Sequence, residues 1–109
     1  MSRISTHVLD TVLGKPGAAI AVRLEKQEYG QWREVSTCAT DSDGRCQSLA
    51  TNAATGLYRL TFATGAYLSS QARTSVYPEI AITFQCSGDT HYHLPLLLSD
   101  NSYTTYRGS

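Results

Sequence analysis

His91-Tyr92-His93 is the first segment whose residue types could do chemistry. In a strand, residues two apart face the same way. The two imidazoles would then share one face, and Tyr92 would point to the other. Histidines side by side can supply a base, an acid or metal ligands near neutral pH. The plainer alternative is a pair of solvated surface histidines. His7, within Ser5-Thr6-His7-Val8-Leu9-Asp10, stands alone in an apparent first strand. It is either a hydrogen-bonded structural residue or another catalytic imidazole. Arg45 follows the turn cluster Asp41-Ser42-Asp43-Gly44. At a strand edge an arginine ordinarily makes a surface ion pair of small weight. Its functional alternative is a rigid fork of donors for a planar, polar substrate. The chain ends in Tyr106-Arg107-Gly108-Ser109, preceded by the strand formers Ser102 to Tyr106. That leaves two readings, a docked end or a frayed tail.

The elements that must carry these residues read as strands. Ile20, Val22 and Leu24 alternate with Ala19, Ala21, Arg23 and Glu25, and Tyr58, Leu60 and Phe62 with Arg59, Thr61 and Ala63. Ile80, Ile82 and Phe84 form a third run, and Tyr92, Leu94, Leu96 and Leu98 a fourth. Period-two alternation marks a sheet with one buried face. Turn signals at 14–17, 28–30, 41–44 and 87–89 separate the runs. Residues 65–73 can hold one short helix, which Tyr77-Pro78 would end. The expected fold is mainly β, a two-sheet antiparallel sandwich of seven or eight strands with one short helix. Residues 1–109 are read as a single domain.

Composition removes several function classes. Nine basic residues balance nine acidic ones, so nucleic acid and anionic membranes have no electrostatic footprint to meet. The longest apolar run, Leu94 to Leu98, is too short to span a bilayer. The start shows no secretory signal pattern. Three cysteines, Cys38, Cys46 and Cys86, are an odd count, read as free thiols in a reducing cytosol. The expected location is therefore cytoplasmic. Phosphate loop, nucleophile elbow and nucleotide fingerprint are all missing.

Several motifs now join. Thr6-His7-Val8-Leu9-Asp10, Gly14-Lys15-Pro16, Asp43-Gly44-Arg45-Cys46, Tyr77-Pro78-Glu79, His91-Tyr92-His93-Leu94-Pro95-Leu96 and the terminal Tyr106-Arg107-Gly108-Ser109 occur in this order over essentially the whole chain. Together they resemble the 5-hydroxyisourate hydrolases of the transthyretin-like family. Two local departures stand out. Asp100-Asn101 replaces a proline-containing turn common in the family, and Gly17-Ala18 follows Pro16 where alanine often comes first.

The resemblance implies a transthyretin-like sandwich assembled as a homotetramer, a dimer of dimers, with active sites in a channel where dimers meet. It implies an enzyme of urate catabolism that opens 5-hydroxyisourate to 2-oxo-4-hydroxy-4-carboxy-5-ureidoimidazoline, with no cofactor and no metal. Its catalytic set maps onto His7, Arg45, His93 and Ser109. Its substrate-binding set maps onto His7, Arg45, Tyr106, Arg107 and Gly108, with His91 a neighbour of undefined role. His93 and His7 would position and deprotonate water, Arg45 would oppose the developing negative charge, and Tyr106 with Ser109 would close over the ring. Three histidines could also bind zinc, which the nearby Arg45 disfavours. The main rival is a transthyretin-like small-molecule carrier, which needs an apolar channel instead of these residues. A second rival is a non-catalytic sandwich used for structural contacts.

Overall fold

The computed structural model describes residues 1–108. One sheet contains β1 (Ser2–Asp10), β2 (Lys15–Pro16), β5 (Arg45–Ala53), β8 (His91–Leu98) and β9 (Tyr103–Thr105). The other runs in the order β4 (Gln31–Ala39), β3 (Ala21–Glu28), β6 (Gly56–Phe62) and β7 (Ile80–Cys86). Helix α1 (Thr64–Ser69) joins β6 to the segment before β7. The two-sheet sandwich with one short helix is thus as the alternation predicts. The short pieces β2 and β9 extend the strand set beyond the runs visible in the sequence. Pairing is antiparallel except between β1 and β8, which run parallel.

The predicted apolar face is the core. Ile20, Val22, Leu24, Tyr58, Leu60, Phe62, Ile80, Tyr92, Leu94, Leu96 and Leu98 are all buried between the sheets. Burying such side chains stabilises the fold by about 1.5–3 kcal/mol each. Because Tyr92 faces inward, His91 and His93 must face out.

Turn chemistry fixes the register. Tyr29 and Gly30 both take positive φ, 53° and 76°, between Glu28 and its partner Gln31. That is the two-residue type I′ hairpin, whose twist matches the flanking strands. In the 41–44 turn, Asp41 Oδ1 accepts the backbone N–H groups of Asp43 and Arg45, both at 2.9 Å. Gly44 has φ 78°, and a Cβ there would collide with the Val8 carbonyl oxygen.

The cysteine expectation needs correction. Cys38 and Cys46 form a disulfide, and only Cys86 is a free, buried thiol among the described residues. The 41–44 turn folds β5 back from β4 into the other sheet. This brings the two Cα atoms to 6.3 Å, inside the range a disulfide spans. An odd count hid one pair and one spare.

A buried ionic cluster ties down the end of β1. The Asp10 carboxylate accepts from the Tyr67 hydroxyl at 2.8 Å, the Arg73 guanidinium at 2.6 Å and the Val12 and Leu13 amides at 3.1 Å. Arg73 also reaches Asp100 at 2.7 Å, and Asn101 accepts the Val76 amide at 2.9 Å. The Asp100-Asn101 departure therefore puts two partners into the turn after β8.

Candidate active site

The outer face of the first sheet carries the chemistry. The parallel register sets Arg3 beside His91 and Ser5 beside His93, while the β1–β5 register sets His7 directly across from Arg45. Side chains of Arg3, Ser5, Arg45, Gln47, His91 and His93 line a groove of about 500 Å³. Its lining is cationic and polar and, among the described residues, carries no carboxylate. Such a surface suits a small, planar, oxygen-rich or anionic molecule. A slightly larger depression of about 550 Å³ lies against the other sheet, lined mainly by alanine and threonine with Arg23, Glu34 and Glu79. It holds no histidine, and volume alone does not make a site.

Each imidazole has a defined setting. His7 Nε2 lies 2.8 Å from the Asp43 carbonyl oxygen. A carbonyl only accepts, so Nε2 is the donor and the neutral ring keeps its lone pair on Nδ1. The 41–44 turn thus orients His7 and launches Arg45. His93 Nδ1 lies 2.8 Å from Ser5 Oγ, and His91 Nε2 lies 2.7 Å from the same oxygen. His93 Nε2 has no partner among the described residues. Burial pushes the His93 pKa below its ordinary value, and the electrostatic influence of the nearby basic groups His91, Arg45 and His7 works the same way. His93 is therefore a neutral imidazole at pH 7, the form that accepts a proton.

Residues 107 and 108 are docked on β8. Gly108 N–H donates to the His93 carbonyl at 2.7 Å, and a Cβ at Gly108 would stand 2.9 Å from His93 Cδ2. Glycine is what permits this approach. The Arg107 guanidinium stacks over the Tyr92 ring at 4.2 Å. Tyr106 is 52% exposed and does not line the groove in the single chain. Ser109 lies outside the described residues. His7 faces Arg45 but is not among the lining side chains. Sequence reasoning missed Arg3, Ser5 and Gln47. The signal was available, since they lie two or four residues from His7 and Arg45 on strands, hence on the same face.

The HIUase/Transthyretin family profile matches residues 4–108. The chain belongs to this family. It is 43% identical to the 5-hydroxyisourate hydrolase of Salmonella dublin over 109 residues, covering 97% of this chain and 80% of that protein. Among solved structures, Klebsiella pneumoniae 5-hydroxyisourate hydrolase superposes with TM-score 0.91 at 34% identity, covering 100% of both chains. Sea bream transthyretin in complex with thyroxine superposes with TM-score 0.93 at 32% identity, covering 97% of this chain and 94% of that one. Backbone likeness therefore does not separate a 5-hydroxyisourate hydrolase from a transthyretin that binds thyroxine. The side chains on the sheet face must do so.

Proposed function

We infer that this chain is a 5-hydroxyisourate hydrolase, acting through the groove that holds His93, Arg45 and His91. The observation that carries the reading is this convergence of imidazoles and arginine on a polar sheet face, in a chain 43% identical to such a hydrolase. A carrier of an aromatic hormone would need apolar walls there, and arginine, histidine, serine and glutamine are the opposite.

Water attacks a ring carbonyl of the substrate and the carbon–nitrogen bond opens. His93 takes the water proton at Nε2, because that nitrogen is free and the ring is neutral. The same Nε2–H then protonates the departing ring nitrogen. Arg45 donates to the oxygen on which negative charge builds. His7, held by the Asp43 carbonyl, orients water or substrate from across Arg45. In the assembled tetramer, Tyr106, Arg107, Gly108 and Ser109 would form the wall that closes over the ring. No cofactor or metal enters the scheme.

The working assembly is a homotetramer, a dimer of dimers, with the groove facing a channel between dimers. The exposed edges β7 and β9 and the outward histidine face suit such burial. The domain acts as one unit over 1–109. Among the described residues, no helix is long and apolar enough to cross a membrane. We place the enzyme in the cytoplasm, where glutathione keeps thiols reduced. The Cys38–Cys46 disulfide must then resist that reducing poise.

Mixing freshly generated 5-hydroxyisourate with the purified protein tests the assignment. Ultraviolet decay far faster than the spontaneous reaction supports it. A spontaneous rate in the presence of a folded tetramer excludes it and favours the carrier.

A further inference from the structure

His91 and Ser5 have no role in the scheme above, yet they form one hydrogen-bonded unit with its base. Ser5 is only 3% exposed, and its hydroxyl oxygen lies 2.7 Å from His91 Nε2 and 2.8 Å from His93 Nδ1. The imidazole centroids are 5.9 Å apart. The parallel β1–β8 register, with Ser5 paired to His93, puts the hydroxyl between the rings.

A hydroxyl carries one hydrogen. It cannot donate to both rings at once. With both imidazoles neutral, two arrangements use every group. In the first, His93 Nδ1–H donates to Ser5 Oγ, and Ser5 O–H donates to His91 Nε2. His93 Nε2 then keeps its lone pair for the groove. In the second, His91 Nε2–H donates to Ser5, and Ser5 O–H donates to His93 Nδ1. His93 Nε2 then carries the hydrogen and cannot accept a proton. Reversing the chain switches the base off.

We propose that Ser5 is a positioning residue for the hydrolysis, holding His93 in the Nδ1–H tautomer, and that His91 is the acceptor that keeps the Ser5 hydrogen turned away from His93. The proposal rests on the reading of His93 as general base. No net proton moves along the chain. The proton taken at His93 Nε2 leaves from the same Nε2 to the departing nitrogen, while Nδ1–H stays bonded to Ser5 throughout. As His93 becomes positive, its bond to the Ser5 oxygen becomes charge-assisted and strengthens. His91 thus acts through Ser5 and needs no contact with substrate. Removing His91 should harm the reaction by a definite route, because the freed hydroxyl hydrogen would turn to His93 Nδ1 and lock the wrong tautomer.

The test joins histidine nitrogen NMR to kinetics. With three histidines in the chain, the spectrum is simple to assign. In the wild-type protein, His93 should show a protonated Nδ1 and a bare Nε2. Ser5→Ala should lower kcat about ten- to a hundredfold, as loss of an orienting hydrogen bond does, with KM changed less than about twofold. His93 should then lose its preference for the Nδ1–H form. Ser5→Thr, which keeps the hydroxyl, should recover most of the rate. His91→Phe should shift His93 to Nε2–H and slow kcat at least as much as Ser5→Ala. A wild-type His93 in the Nε2–H form overturns the proposal, as does an unchanged kcat in Ser5→Ala. Should Ser5→Ala not fold, the wild-type spectrum and His91→Phe decide alone. A dead His93→Ala beside a fully active Ser5→Ala sinks only the Ser5 role. A fully active His93→Ala sinks the base assignment itself.

Discussion

Single positions in the groove make separable demands. Arg45 is the guanidinium placed by the 41–44 turn across from His7. Arg45→Met should lower kcat about a hundred- to a thousandfold, the usual cost of removing one oxyanion donor. Steady-state kinetics on a folded variant would show it. Gly108 touches the His93 ring so closely that a methyl cannot enter. Gly108→Ala should push the tail from His93 and cost up to about a hundredfold in rate with little change in melting temperature. An unchanged rate would free the tail from any part in closing the site. For His93, burial first and then the electrostatic influence of nearby basic groups depress the pKa below the ordinary 6.5. The active, neutral form is therefore populated above that depressed value and lost below it. The acid limb of kcat/KM should have its midpoint below pH 6.5, and a midpoint above that would oppose His93 as the base. Much of this was legible in the sequence, because period two places His91 with His93 without any coordinates. Period two also puts Ser5 on the face of His7, but its partnership with both rings was not legible, because it depends on the register between β1 and β8, which are far apart in sequence.

Elements are held by devices that alternation does not reveal. Strand identity followed from runs such as Tyr58-Leu60-Phe62, since each must bury one face. The disulfide was misjudged because its closure depends on β4 and β5 lying in different sheets. The loop it closes spans a sequence separation of 8. Reduction should lower stability by about 2.5 kcal/mol on the chain-entropy account, measurable as a shift in urea midpoint with and without reductant. Burial pushes the Asp10 carboxyl up, but hydrogen bonds from Arg73, Tyr67 and the Leu13 amide, with the Arg73 charge, outweigh it and hold the pKa at about 2, against 3.8 ordinarily. A depressed folded value means stability is fully present above pH 3.8. Roughly 2 kcal/mol is then lost as pH falls from there toward 2. Arg73→Met, which leaves Asp10 buried without its cation, should cost about 3–5 kcal/mol at neutral pH. Urea unfolding at pH 7 would measure it, and a loss below about 1 kcal/mol would show the cluster to be dispensable.

At the scale of the whole molecule, the groove is open in a single chain. Tyr106 is exposed and does not line it, and His91 faces outward. A second pair of chains across the sheet face would enclose the groove and exclude water, which strengthens every electrostatic contact inside it. Light scattering should therefore give four chains per particle, and a dilution-induced monomer should lose activity while staying folded. An active monomer would remove the channel from the account. None of this assembly is legible in alternation or composition. Only the polar, aromatic face left outside the core hints at it.

The central claim is that His93 in this groove catalyses the opening of 5-hydroxyisourate. Its most direct test compares ultraviolet decay of freshly generated substrate with wild-type protein and with folded His93→Ala at equal concentration. The account predicts rapid decay with the wild type and a rate about a hundred- to ten-thousandfold lower in the variant. Equal, rapid decay in both would contradict it.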